Sequence, residues 1–250
     1  MQSYELTTLK KGLMILDLLR DRHFLTMSEI MEELSLNKTS AYRMLYTLEK
    51  MNYVLKQDKY YYLNSTIFHD TRINTGNKFQ WVSLFTPYHL ARNTGTVVYI
   101  GVLDQYELII KNVIKSPYKE PFFDAIDKRT PIYSSAIGKA VLAHLPLQKQ
   151  HEIFNHLLLT TITKNTFIDK DLFLSHLAII KKQGFAVDNE ETNIGNRCIA
   201  APVWLDGEVI GSLAIHGKVE QVKRSSIRSL SKKVIHFSTL LTHELENLKE

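Results

Sequence analysis

The stretch Asn37-Lys-Thr-Ser-Ala-Tyr-Arg-Met-Leu-Tyr-Thr-Leu-Glu-Lys50 decides how the front of this chain reads. Ala41, Met44, Leu45 and Leu48 fall at i, i+3, i+4 and i+7, which predicts a helix with one buried stripe. The other faces carry Lys38, Thr39, Ser40, Tyr42, Arg43, Tyr46 and Thr47, rich in hydrogen-bond donors and short of acids. Asn37 is a good N-cap, because its side chain accepts a free amide of the first turn. A donor-rich first turn on an exposed helix suits base edges in a DNA major groove. That nominates Lys38, Thr39, Ser40 and Tyr42, with Arg43 suited to a base or a phosphate.

Upstream, Thr26-Met-Ser-Glu29 is a capping box that opens a second helix, with Ile30, Met31 and Leu34 on its apolar side. Residues 35–37 leave room only for a tight turn, which is the spacing of a helix-turn-helix. A first helix is predicted from Thr7 or Thr8, with Leu9, Leu13, Leu16 and Leu19 as its apolar line. Downstream, the β-prone runs 53–55 and 60–63 flank Lys56-Gln-Asp-Lys59. That is a hairpin in the position of a wing, and it sets Lys56 and Lys59 toward phosphate. The competing reading is a small helical domain with a solvated polar face and an incidental hairpin.

Bulk composition narrows the class without choosing the function. The chain has 250 residues, 44% of them hydrophobic and 23% charged, a packed globular profile rather than a disordered one. Its longest apolar run, 97–103, is far short of a membrane span, and the first residues lack a signal peptide's apolar core. No membrane partner is expected. One cysteine excludes an internal disulfide, which fits a cytoplasmic protein. Residues 1–80 hold 11 Lys/Arg against 9 Asp/Glu, a net of +2, and residues 81–250 hold 20 against 17, a net of +3. Charge is therefore spread out, and any DNA surface rests on local arrangement.

Residues 66–80 are predicted as a linker helix between a first domain, 1–65, and a second, 81–250. In the second domain Thr94-Gly95 stops a helix, and 96–103 and 108–114 read as strands. Residues 131–134 read as a short strand or an approach segment to the next helix, and 135–145, 147–159 and 169–183 as helices. Strands follow at 185–188, 197–205 and 209–217, the last two joined by the hairpin signal Asp206-Gly207. A closing helix over 219–249 puts Ile227, Leu230, Val234, Ile235, Phe237 and Leu241 on its apolar side. The expected fold is α/β overall in two domains: a winged helix-turn-helix, then an α+β domain with an antiparallel sheet.

Three N-terminal runs carry a family resemblance: Leu9-Lys-Lys-Gly-Leu-Met-Ile-Leu-Asp-Leu-Leu19, Leu25-Thr-Met-Ser-Glu-Ile30 and the 36–48 run. Together they resemble the DNA-binding domain of the IclR family of transcription regulators. Three later runs are similar to that family's effector domain: Thr130-Pro-Ile-Tyr-Ser-Ser-Ala-Ile-Gly-Lys-Ala-Val-Leu-Ala143, Gly184-Phe-Ala-Val-Asp-Asn-Glu-Glu191 and Arg197-Cys-Ile-Ala-Ala-Pro-Val203. The chain departs from the family at Asn52-Tyr53 and Leu63-Asn64, where Gly-Tyr and Leu-Gly are usual.

The resemblance implies a GAF-like sensor domain behind the winged helix. It also implies an effector pocket drawn from Ser134, Ser135, Ala136, Gly138, Asp188, Glu190, Cys198, Ala214 and His216. It further implies a homodimer, or a dimer of dimers, on a palindromic double-stranded operator, joined through residues near 5–20 and 66–80. The expected effector is a small organic acid held by the 134–138 loop, with His216, where relatives often have a small hydroxyl residue, as a second polar contact. Ala214 and His216 alternate toward one strand face, and a helix start offers amides to an anion. Bland readings stand beside these: Ala136 and Gly138 as packing residues, Cys198 as a small buried hydrophobe, and Glu190 and Glu191 as caps. An enzyme would need Cys198 as nucleophile, His216 as base and Asp188 behind it. No nucleophile elbow, phosphate loop or metal-spaced ligand set supports that, so no catalysis, cofactor or metal is expected. A ligand-binding sensor or protein-interaction module without DNA binding is the remaining alternative, one that has no need of the donor-rich helix.

Overall fold

The computed structural model describes residues 5–22, 24–64, 85–114 and 127–247. The chain divides into two compact units, Met1–Phe85 and Thr86–Glu250. The linker predicted at 66–80 lies outside the described residues.

The first unit holds α1 (Thr7–Arg22), β1 (Phe24–Thr26), α2 (Met27–Glu33), α3 (Lys38–Lys50), β2 (Val54–Gln57) and β3 (Tyr60–Leu63). Its strands form an antiparallel sheet in the order β1-β3-β2. The Thr26–Glu29 capping box forms as expected, and Asn37 accepts the Ser40 amide at 2.8 Å to start α3. Ile15, Leu19, Ile30, Leu36, Ala41, Leu45, Val54 and Tyr61 make the core. Asn52 takes a left-handed φ of 60° between α3 and the hairpin, a conformation that asparagine tolerates where glycine is usual. The predicted α1 stripe needs correction. Leu19 is buried, but Leu9 and Leu13 are exposed, and Ile15 is the second core residue. Apolar residues lie on several faces of α1, so spacing alone did not select the buried one. The short strand β1, which pairs with the hairpin, was not anticipated.

The second unit opens within α4 (Phe85–Thr94), which ends at Gly95, whose φ is +66°. β4 (Val97–Asp104), β5 (Glu107–Ile114) and β6 (Arg129–Thr130) follow. Next come α5 (Ala136–Leu142), α6 (Leu147–His156) and α7 (Lys170–Gln183). β7 (Ala186–Asn189), β8 (Asn196–Leu205), β9 (Glu208–Lys218), a 3-10 turn at Arg224–Ser226 and α8 (Ile227–Asn247) complete it. The six strands form an antiparallel sheet in the order β6-β5-β4-β9-β8-β7. Asp206 and Gly207 turn the β8–β9 hairpin, both with positive φ, as a tight two-residue turn requires.

Two expectations for this unit need correction. Of the two readings of residues 131–134 the strand is not formed: they turn into α5, and the strand is the preceding pair 129–130. The closing helix starts at Ile227 rather than 219, and its buried stripe includes Ser231 and Ser238. Those serines satisfy their hydroxyls on backbone carbonyls, Ser231 on Arg228 and Ser238 on Pro202. β7 pairs with β8 only along 197–200. Farther on, the Trp204 amide donates to the Thr242 hydroxyl at 3.1 Å.

Candidate nucleic-acid interface and effector site

On α3 the buried residues are Ala41 and Leu45, and the opposite side is open. Lys38, Thr39, Tyr42, Arg43, Tyr46 and Thr47 are exposed, and Ser40 is half-buried. Thr47 donates its hydroxyl to the Arg43 carbonyl, so it is partly committed to the helix itself. The wing lysines Lys56 and Lys59 are exposed, each with its ammonium over a neighbouring tyrosine ring. Sequence reasoning thus found a face that the fold leaves open. It assigned no particular contact to Tyr46, whose ring stacks on Tyr42.

In the second unit the nominees on the strands, Asp188, Cys198, Ala214 and His216, fall on one side of the sheet. Asp188 pairs with Cys198, Cys198 with His216, and His216 with Val97, in one row across β7, β8, β9 and β4. Directly paired residues share a face, so these side chains project together, with Ala186, Ala200 and Ala214 in the next row. Helix α5 packs on this face, where the Ser212 hydroxyl donates to the Ile137 carbonyl at 3.0 Å. The small residues let the helix approach. A Cβ on Gly138 would lie 2.3 Å from the carbonyl oxygen of Ile132.

Each nominee has a definite environment. Ser135 caps α5 by accepting the Gly138 amide, which removes that amide from any ligand. Ser134 is fully buried, and its hydroxyl has no partner among the described residues. Asp188 accepts the amides of Glu191 and Thr192, at 2.7 and 3.3 Å. Glu190 accepts the Gly195 amide and lies 3.9 Å from Arg197, so it serves the turn. Ala136 and Ala214 are fully buried. His216 meets Tyr99 edge to face at 5.4 Å, and burial lowers its pKa, which keeps the ring neutral at neutral pH. Burial, followed by the charge of Asp188, pushes the Cys198 thiol well above its usual range, the reverse of what a nucleophile needs.

Two residues outside the nominated set are central to this layer. Lys139 is fully buried on α5 and donates to both Glu191 carboxylate oxygens at 2.5 Å and to the Val187 carbonyl at 2.7 Å. Burial lowers the Lys139 pKa and raises that of Glu191, and each partner's charge works against that shift. The ring of Phe167 has this ammonium 5.5 Å from its centre and stacks with His176 at 4.7 Å. Burial, then the Lys139 charge, lowers the His176 pKa to about 4. A lysine inside the small-residue run 136–143 was the available signal, since such a lysine needs a buried partner.

A donor-rich helix behind a tight turn, and an α+β domain with a small-residue helix on its sheet, match known proteins. Residues 83–242 match the bacterial transcriptional regulator IclR C-terminal domain, and residues 8–58 match the IclR helix-turn-helix domain. The chain belongs to the IclR family. Its relatives are named transcription regulators. It is 29% identical to the HTH-type transcriptional regulator KdgR of Dickeya chrysanthemi, over 80% of this chain and 67% of that one. It is 25% identical to the regulator XynR of Escherichia coli, over 95% and 96%. Among solved structures, the Thermotoga maritima IclR matches at a TM-score of 0.63 and 25% identity, covering 96% of this chain and 99% of the other. As an IclR-family regulator, the chain carries a DNA-binding helix-turn-helix and an effector-binding domain. No helix among the described residues is long and apolar enough to cross a membrane.

Proposed function

We propose that this IclR-family chain is a repressor that binds a palindromic operator as a homodimer or dimer of dimers and answers to a small organic acid. The observation that carries the DNA part is the open face of α3, with Arg43 opposite the buried Ala41 and Leu45. Lys38, Thr39, Ser40, Tyr42 and Arg43 are its contacts to bases and phosphate, with Lys56 and Lys59 adding phosphate contacts from the wing. Repression needs only operator occupancy, with no second surface toward polymerase. One recognition helix gives few base contacts, so paired half-sites supply the remainder. Exposed Leu6, Leu9, Leu13 and Met14 on and beside α1 support pairing there. Arg43→Ala is expected to weaken binding to DNA from upstream of the chain's own gene by about 1–3 kcal/mol, roughly five- to 150-fold. A gel-shift titration checks this, and a variant that binds like the parent would sink the assignment.

The organic-acid reading draws on two neutral donors: the Ser134 hydroxyl, unpartnered among the described residues, and the neutral His216 ring. Asp188 is already engaged by two amides, which reduces its repulsion of a carboxylate. A hydroxy acid fits both features. One relative, 25% identical, is named as the p-hydroxybenzoate hydroxylase transcriptional activator of Acinetobacter baylyi, which makes aromatic hydroxy acids a natural part of the panel. Saturating acid is expected to stabilise the parent by about 2.7 kcal/mol at a hundredfold excess over Kd, and His216→Ala by clearly less. Thermal shifts across acids, sugars and amines test this. Stabilisation by sugars or amines alone would overturn the effector class, and equal acid response in both proteins would remove His216 from the site.

A further inference from the structure

Tyr42, Tyr46 and Lys50 stand at i, i+4 and i+8 on α3, the spacing at which helix residues lie one above another. The two tyrosine rings stack at 6.1 Å between centroids and 21° between planes, and the Lys50 ammonium lies 5.7 Å from the Tyr46 ring centre. Their exposures are 56% and 50%, so about half of two large aromatic side chains faces water beside Arg43. Stacking narrows the rings' rotamer freedom before any partner arrives, so less of it is lost on binding. Tyrosine rings so exposed on an otherwise polar helix face gain from an apolar partner. In a major groove the apolar group on offer is the thymine 5-methyl.

The geometry points to Tyr42 and Tyr46 as an aromatic ladder that reads thymine methyl groups, with Tyr46 as a specificity determinant. Lys50 steadies the lower ring. This rests on the operator-binding reading above and adds a base preference to it: thymines beneath the aromatic flank of α3, in addition to the hydrogen-bonded bases beneath Arg43. The contact is through the ring, so the phenol hydroxyls are dispensable.

The test is a gel-shift titration of the full chain on the upstream duplex that it retains best, with each thymine replaced in turn by deoxyuridine. Loss of one methyl buried against a ring is expected to cost the parent about fourfold in affinity at one or more positions, the factor that corresponds to one buried methyl or methylene. Tyr46→Ala binds the unmodified duplex more weakly and is indifferent to deoxyuridine at a sensitive position, whereas Tyr46→Phe keeps the parent's pattern. Tyr42→Ala loses its own sensitive position in the same way. Such coupling between a side chain and one methyl is the signature of direct contact. A parent that binds but tolerates deoxyuridine everywhere would overturn the inference and leave operator binding intact. So would a penalty that survives unchanged in both alanine variants. A parent that retains no upstream duplex would overturn the operator-binding reading, and this inference with it.

Discussion

Replacing Glu191 by alanine is expected to cost the effector domain about 3–5 kcal/mol of stability, because it strands a buried charge. The Lys139 side chain is 0% exposed and that of Glu191 6%, so water cannot take the place of the lost carboxylate. Among the described residues the ammonium keeps the Val187 carbonyl as acceptor and loses both contacts to the carboxylate. Lys139→Met fails in the opposite sense, leaving a buried carboxylate with the Asn189 amide at 3.3 Å as its remaining contact. The double variant Lys139→Met with Glu191→Leu removes both charges and is expected to recover most of the loss, since apolar pairs of similar volume often match a buried ion pair. Urea unfolding of the parent, both singles and the double measures the coupling. Additive losses, or singles within about 1 kcal/mol of the parent, would show that the pair is not held as described.

Gly138→Ala is expected to be nearly as damaging, by about 1–3 kcal/mol and toward the upper end, through overpacking. The added Cβ would fall 2.3, 2.5 and 2.7 Å from the carbonyl oxygen, Cα and carbonyl carbon of Ile132. These are backbone atoms of a fully buried residue, so no side chain can swing aside. Helix α5 must move, and with it Ser134, Ser135 and the Lys139–Glu191 pair. The variant is therefore expected to lose its thermal response to effector along with its stability. Alanine at Gly207 is a useful contrast, because its Cβ meets open space and only the φ of +78° resists it. An unchanged unfolding midpoint for Gly138→Ala would contradict the close approach of α5 to the preceding turn.

Much of the fold was legible because local signals agreed with tertiary need. Thr26–Glu29 and Asn37 mark helix starts by chemistry that acts within three residues, and Asp206-Gly207 marks its hairpin the same way. Alternation along β9 was enough to put Ala214 and His216 on one face. Where reading failed, the deciding contacts were distant in sequence. Nothing near Leu13 says that Ile15 is the residue the core will take, because α1 offers apolar side chains on several faces. Ser238 looks polar until the Pro202 carbonyl that it satisfies, 36 positions away, is known. Lys139 and Glu191, 52 positions apart, acquire meaning only when α5 crosses the end of β7. Gly138 could be read as a ligand-facing or a packing residue. The fold shows its amide spent on Ser135 and its missing side chain needed by Ile132.

Beyond Ala200 the outer flank of β8 has no strand neighbour among the described residues. A strand edge without a neighbour is a template on which another chain can polymerise. Here Pro202 offers no amide to such a chain. Its carbonyl is held by Ser238, and the Trp204 amide is held by Thr242. Two hydroxyl residues of α8 thus act as a guard against self-adhesion. Trimming the C-terminal helix before Ser238 would uncover a sticky edge as well as the core beneath it.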